Sequence, residues 1–88
     1  MEDGTVYLDP TADDGMIATM TEATAEELGW SLNGTTIEDD GDGYCYALVG
    51  YPWDDERSDA DNDAQHDADW RECLREIEAA GLDWKEIG

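Results

Sequence analysis

The sequence predicts an α+β domain of the ferredoxin-like kind, in the order β-α-β-β-α-β, with an antiparallel sheet carrying both helices on one face. Two segments carry most of that reading. Tyr44, Tyr46 and Leu48 alternate with Cys45, Ala47 and Val49, the period of a strand with something to pack on both sides. Between Asp67 and Gly81 the apolar residues return instead at three-to-four spacing, the period of a helix with one buried stripe. The third observation is size: 88 residues make one domain, near the limit at which buried apolar area outweighs the entropy of ordering the chain.

Thr5 to Asp9 is a run of strand formers closed by Pro10, which has no N–H to give to a ladder, and it is read as the first strand. From Thr11 to Leu28 the period changes. Ile17, Met20, Thr24 and Leu28 fall on one stripe that Met16 and Ala23 widen, while Glu22, Glu26 and Glu27 stay off it, so a helix is expected. Its start is open: Thr11 can cap it, but Gly15 is a poor interior residue and Thr21 can instead begin a shorter helix. Gly29 is the expected stop.

Residues 30–38 hold Trp30, Leu32 and Ile37 out of phase, with an Asn33-Gly34 pair of the kind that marks a tight turn. Either one long strand bulges there, or the chain breaks and only Thr35 to Glu38 is extended, the second being favoured. Residues 39–43 read as a hairpin loop in which Gly41 and Gly43 take positive φ and the aspartates bond their own backbone. The central strand follows.

Residues 51–66 show no periodicity and many groups that prefer water, so they read as a long acidic loop whose start Tyr51, Pro52 and Trp53 pin to the domain edge. The helix from Asp67 presents Trp70, Cys73, Leu74, Ile77 and Ala80 on one face, with Asp67–Arg71 and Glu72–Arg75 pairs along its surface. Gly81 supplies a left-handed cap over which Leu82 folds back onto Ile77. Residues 82–87 supply a short edge strand through Trp84; if they do not, a smaller three-stranded α+β fold is the alternative.

Charge is the most unusual property of the chain. It has 25 acidic residues against 4 basic ones, and no Lys or Arg precedes Arg57. Self-repulsion of that size strains a compact state in dilute salt and is largely screened at about 1 M, where the screening length is about 3 Å. The carboxylates run along nearly the whole chain, so general solvation explains them better than one site does. In composition the chain resembles proteins of a molar-salt cytoplasm, with abundant K+ and Na+ as counter-ions. No basic start with an apolar run is present and no apolar stretch approaches bilayer length, so a cytoplasmic protein without membrane contact is expected.

Specific chemistry finds little support in the residues. Counting from Asp61 puts oxygen-bearing side chains at positions 1, 3, 5 and 9 and Glu72 at 12 of a calcium loop, but position 6 is His66 where a glycine is required. His66 has no second ligand at metal spacing, Cys45 and Cys73 lack the C-x-x-C pattern, and the glycines at 41 and 43 have no lysine to cradle a phosphate. Nothing distinguishes Glu26/Glu27 or Asp54/Asp55 as an acid–base pair. Catalytic residues, a bound metal and a cofactor are therefore not expected, and direct nucleic-acid binding is disfavoured by the lack of a basic patch.

What remains is a surface. If Cys45, Ala47 and Val49 meet the helices, then Tyr44, Tyr46 and Leu48 lie on the open face of the sheet, with Tyr51 and Trp53 just beyond. The expectation is a small non-enzymatic interaction or regulatory protein assembling through that aromatic face, as a homodimer or with another protein. An acidic mimic of nucleic acid that sequesters a basic DNA-binding protein is one alternative; a weak calcium-binding protein using residues 59–72 is another.

Overall fold

The structure, a computed structural model, describes residues 1–10, 15–50 and 54–87. Among these residues seven strands and two helices follow one another as β1 (Thr5–Asp9), β2 (Ile17–Thr21), α1 (Glu22–Glu27), β3 (Ser31–Leu32), β4 (Thr35–Thr36), β5 (Glu38–Asp39), β6 (Tyr44–Leu48), α2 (Asp59–Ala79) and β7 (Asp83–Glu86). Five of the strands form one sheet in the order β5-β6-β2-β1-β7, and β3 and β4 pair separately. The class is α+β, as expected. The ferredoxin-like arrangement is not what forms, because an extra strand enters the sheet and β7 runs parallel to β1, making the sheet mixed rather than antiparallel.

The extra strand lies where a helix is expected over residues 11–28. Met16 and Met20 satisfy a helical stripe, but Met16, Ala18 and Met20 also alternate, and all three are buried while Ile17 and Thr19 are only half-buried. β-Branched Ile17, Thr19 and Thr21 lose rotamer freedom in a helix and suit a strand. Gly15, at φ 112°, stands in a conformation no helix contains. The helix is therefore the short one: Thr21 caps it by accepting a hydrogen bond from the Thr24 N–H at 3.4 Å.

Both helices end on the same device. The Gly29 N–H donates to the Glu26 carbonyl at 3.0 Å and the Trp30 N–H to that of Ala25 at 2.9 Å. After α2 the Gly81 N–H donates to Glu78 at 3.0 Å and the Leu82 N–H to Ile77 at 3.1 Å. Each pair of bonds is a Schellman motif, and the glycine in each has positive φ, as the left-handed turn requires.

Asn33 and Gly34, at φ 51° and 75°, make a two-residue turn that joins β3 to β4, so residues 30–38 contain a small hairpin rather than one long strand or one break. The hairpin loop at 39–43 forms as expected. The Gly41 and Asp42 N–H groups donate to the carboxylates of Asp39 and Asp40 at 2.8 and 2.9 Å, and Gly41 and Gly43 have positive φ.

Helix α2 begins at Asp59, not Asp67, so the second half of the expected loop 51–66 is helical. Ser58 caps it, accepting from the Asp61 N–H at 3.2 Å, and Asp59 and Asp61 put negative charge against the positive end of the helix dipole. Asn62 fastens the turn before it, donating to the Asp54 carbonyl at 2.8 Å.

One face of the sheet carries the core. Val6, Leu8, Ala18, Met20, Cys45 and Ala47 project from it against Ala25 of α1, Cys73 and Ile77 of α2, and Leu32 and Ile37 from the hairpin segment. Each fully buried Val, Leu, Ile or Met among them contributes about 1.5–3 kcal/mol through water exclusion. Trp84 of β7 meets Trp70 of α2 edge to face, ring centroids 5.5 Å apart, which sets the edge strand against the helix.

Candidate interaction face

Among the described residues no helix lies on the other side of the sheet. Residues that alternate with the core positions project there, and the register aligns them into rows across the strands. One row runs Glu38–Tyr46–Thr19–Tyr7–Lys85, from one edge of the sheet to the other. A second contains Leu48, Ile17 and Asp9, and a third pairs Tyr44 with Thr21.

Exposure concentrates on β6. Tyr44, Tyr46 and Leu48 are 50%, 43% and 44% exposed, while Cys45 and Ala47 between them are buried. The pattern required of a strand packed on one side and bare on the other is thus complete. Tyr51 and Trp53, the other two residues expected on this surface, lie outside the described residues.

Glu38, opposite Tyr46 on the neighbouring strand, pushes the phenol above its ordinary pKa, with burial and Asp40 adding to the effect. At the far end of the row the Glu2 N–H donates to the Tyr7 hydroxyl at 3.2 Å, laying the N-terminal segment against β1. Among the cations, the Arg57 guanidinium donates to the Asp61 carbonyl, Arg71 pairs with Asp67 at 3.0 Å and Arg75 pairs with Glu72, the last two as the sequence predicts. Lys85 forms no ion pair among the described residues.

Both cysteines are free and buried. Burial, reinforced by Glu76, Asp69 and Glu72, pushes the Cys73 thiol up to about 12; burial followed by Asp39, Glu22 and Asp40 raises Cys45. Neither is poised as a thiolate nucleophile. His66 is exposed on α2. Residues 59–72 form helix, and successive positions of the calcium pattern, two residues apart, turn by roughly 200° around the helix instead of converging on an ion. Among the described residues no three His, Cys, Asp or Glu side chains gather as metal ligands.

The polar group that sequence reasoning missed lies inside. The Asn33 N–H donates to Glu76 Oε2 at 2.8 Å, and its side-chain amide donates to the Val49 carbonyl and to Asp69 Oδ1, the latter at 3.3 Å. Gln65 donates to the same Asp69 oxygen at 3.2 Å. This node ties the hairpin and the end of β6 to the inner side of α2. A depression of about 320 Å³ beside it is lined, among the described residues, by Asn33, Thr35, Leu48, Val49 and Gly50, none of which titrates.

Exposed carboxylates stand on α1, on the loop between β5 and β6, along α2 and on β7, spread over both layers rather than gathered into one row. No helix among the described residues is long and apolar enough to cross a membrane. No protein-family model, curated protein or solved structure matches the chain.

Proposed function

We propose that this is a small non-enzymatic interaction protein, adapted to high salt, that docks another protein surface on the open face of its sheet. The observation that carries the reading is the exposed column Tyr44, Tyr46 and Leu48 on a strand whose opposite side is buried. Among the described residues no second layer covers that face, and contiguous exposed apolar area of this kind marks association sites. Tyr combines a large apolar ring with a hydroxyl that tolerates water, which suits a surface covered only part of the time.

Salt adaptation is supported by the excess of carboxylates over cations, at a formal net charge of −21, on nearly every exposed element. At molar salt the repulsion between two such surfaces is screened while the apolar contribution persists.

The test is photo-crosslinking from a benzophenone side chain at position 46, in extract held at about 2 M KCl. A discrete protein adduct that disappears with Leu48→Glu is the expected result. Adducts unchanged by Leu48→Glu, or none, would sink the docking reading.

A further inference from the structure

Resting on that reading, we infer that the open face takes a second copy of this chain, packed face to face about a two-fold axis that lies along β2. The row Glu38–Tyr46–Thr19–Tyr7–Lys85 is what commits the occupant. It is self-complementary: acid at one end, base at the other, a tyrosine on either side of a central threonine. Rotation about β2 exchanges the two ends. Lys85 of each copy then faces the partner's Glu38, each Tyr46 meets the partner's Tyr7, and Thr19 meets itself on the axis. An isologous interface requires this reciprocity.

Lys85 supplies the independent argument. The chain has four basic side chains, and Arg57, Arg71 and Arg75 are all engaged on or beside α2. Lys85 alone projects from the open face, with no ion pair among the described residues despite 25 carboxylates in the chain. The two-fold gives it one. The other in-plane axis, across the strands, stacks Lys85 on Lys85 and Glu38 on Glu38 and is disfavoured by the same charges.

The size of the contact sets its strength. The three five-residue strands reach about 17 Å, β7 about 14 Å and β5 about 7 Å, which at a spacing of about 4.8 Å makes a footprint of roughly 350 Å² per copy before surface relief. Standard specific interfaces bury about 800 Å² per copy, so the dimer is a weak, reversible one. Asp9 and Asp83 share this face and outnumber Lys85, so association tightens as salt rises. The Lys85–Glu38 contacts set the orientation more than the affinity.

Sedimentation equilibrium from about 10 µM to about 1 mM protein, in about 1 M KCl, reads the outcome. Wild type is expected to dimerise. Lys85→Glu and Glu38→Lys each weaken the dimer about 3- to 10-fold, because two contacts turn from attraction to repulsion, and the double variant restores it. Both positions are exposed, so circular dichroism should show the fold unchanged. Mild oxidation of Thr19→Cys should give a disulfide-linked dimer, since the native cysteines are buried. Dimerisation indifferent to Lys85→Glu overturns the axis. A strictly monomeric wild type whose position-46 adducts with another protein still require Leu48 overturns the second copy and leaves docking standing. Monomer with no such adducts removes both.

Discussion

Replacing Asn33 by alanine should cost about 2–4 kcal/mol of stability. The side-chain amide makes two hydrogen bonds, to the Val49 carbonyl and to Asp69, each contributing about 1 kcal/mol net. The backbone adds a second term. Asn33 stands at φ 51°, a conformation that asparagine tolerates and that costs alanine about 1–2 kcal/mol. Asn33→Gly separates the two, since glycine keeps the turn without strain and loses only the side-chain bonds, for about 1–3 kcal/mol. The backbone N–H bond to Glu76 survives in both variants. Urea unfolding followed by tryptophan fluorescence, at constant KCl, measures the difference without changing ionic strength. For a domain of this size the alanine variant should melt roughly 10–25 °C lower. An alanine variant within about 0.5 kcal/mol of wild type would refute the view that this node joins the hairpin to the helix. Equal losses for alanine and glycine would refute the backbone half alone.

Gly50→Ala should also destabilise, by about 1–3 kcal/mol in the same assay, because a Cβ there would stand 2.8 Å from Met16 Cβ while the Val49 and Gly50 N–H groups both hold the Met16 carbonyl. An unchanged denaturation midpoint would mean the two strands separate more easily than their bonding implies. At alkaline pH the buried Cys73 thiol stays protonated to about 12 in the folded state, whereas it ionises near 9.0 when unfolded. The unfolded state then holds fewer protons, so stability falls as pH rises above 9.0, by up to about 1.4 kcal/mol per unit from this group. Cys73→Ala should flatten that slope, and an identical slope in the variant would contradict the assignment. Finally, the denaturation midpoint should climb between about 0.1 M and about 3 M KCl as the carboxylates are screened. A midpoint indifferent to KCl would rule out the salt-adapted reading.

Residues 44–49 were legible because both sides of the alternation carry large or buried side chains and no other period fits them. The C-terminal half of α2 was legible for a similar reason, and its cap followed from Gly81 and Leu82. Residues 16–20 were not, since Met16 and Met20 lie four apart and satisfy two periods at once; only β-branched Ile17, Thr19 and Thr21 on alternate positions argue for the strand. The sequence places Tyr44, Tyr46 and Leu48 on the open face, but without that strand it cannot show the rows, because Thr19 and Ile17 are what align Tyr46 and Leu48 with Tyr7 and Asp9. The first turns of α2 escaped notice because their inward residue is polar. Asn62, and Asp69 further along, occupy the buried stripe with Cys73 and Ile77, and a search for apolar spacing is blind to a helix fastened by amides and carboxylates. Lys85 carries no signal in the sequence, because its significance lies in the face it shares once β7 pairs with β1.

The parallel pairing of β7 with β1 joins positions far apart in the sequence. Thr5 pairs with Asp83 and Leu8 with Glu86, so the first strand waits for nearly the last residues described, and its outer edge stays bare until α2 has carried the chain back across the sheet. Contacts between such distant positions form slowly, because a long loop must close before any of them is rewarded. During that interval an unpaired edge invites pairing with neighbouring chains, and in dilute solution, where it is not screened, the mutual repulsion of heavily acidic molecules is a defence against it. The same charge that strains the finished domain in dilute solution thereby guards the unfinished one.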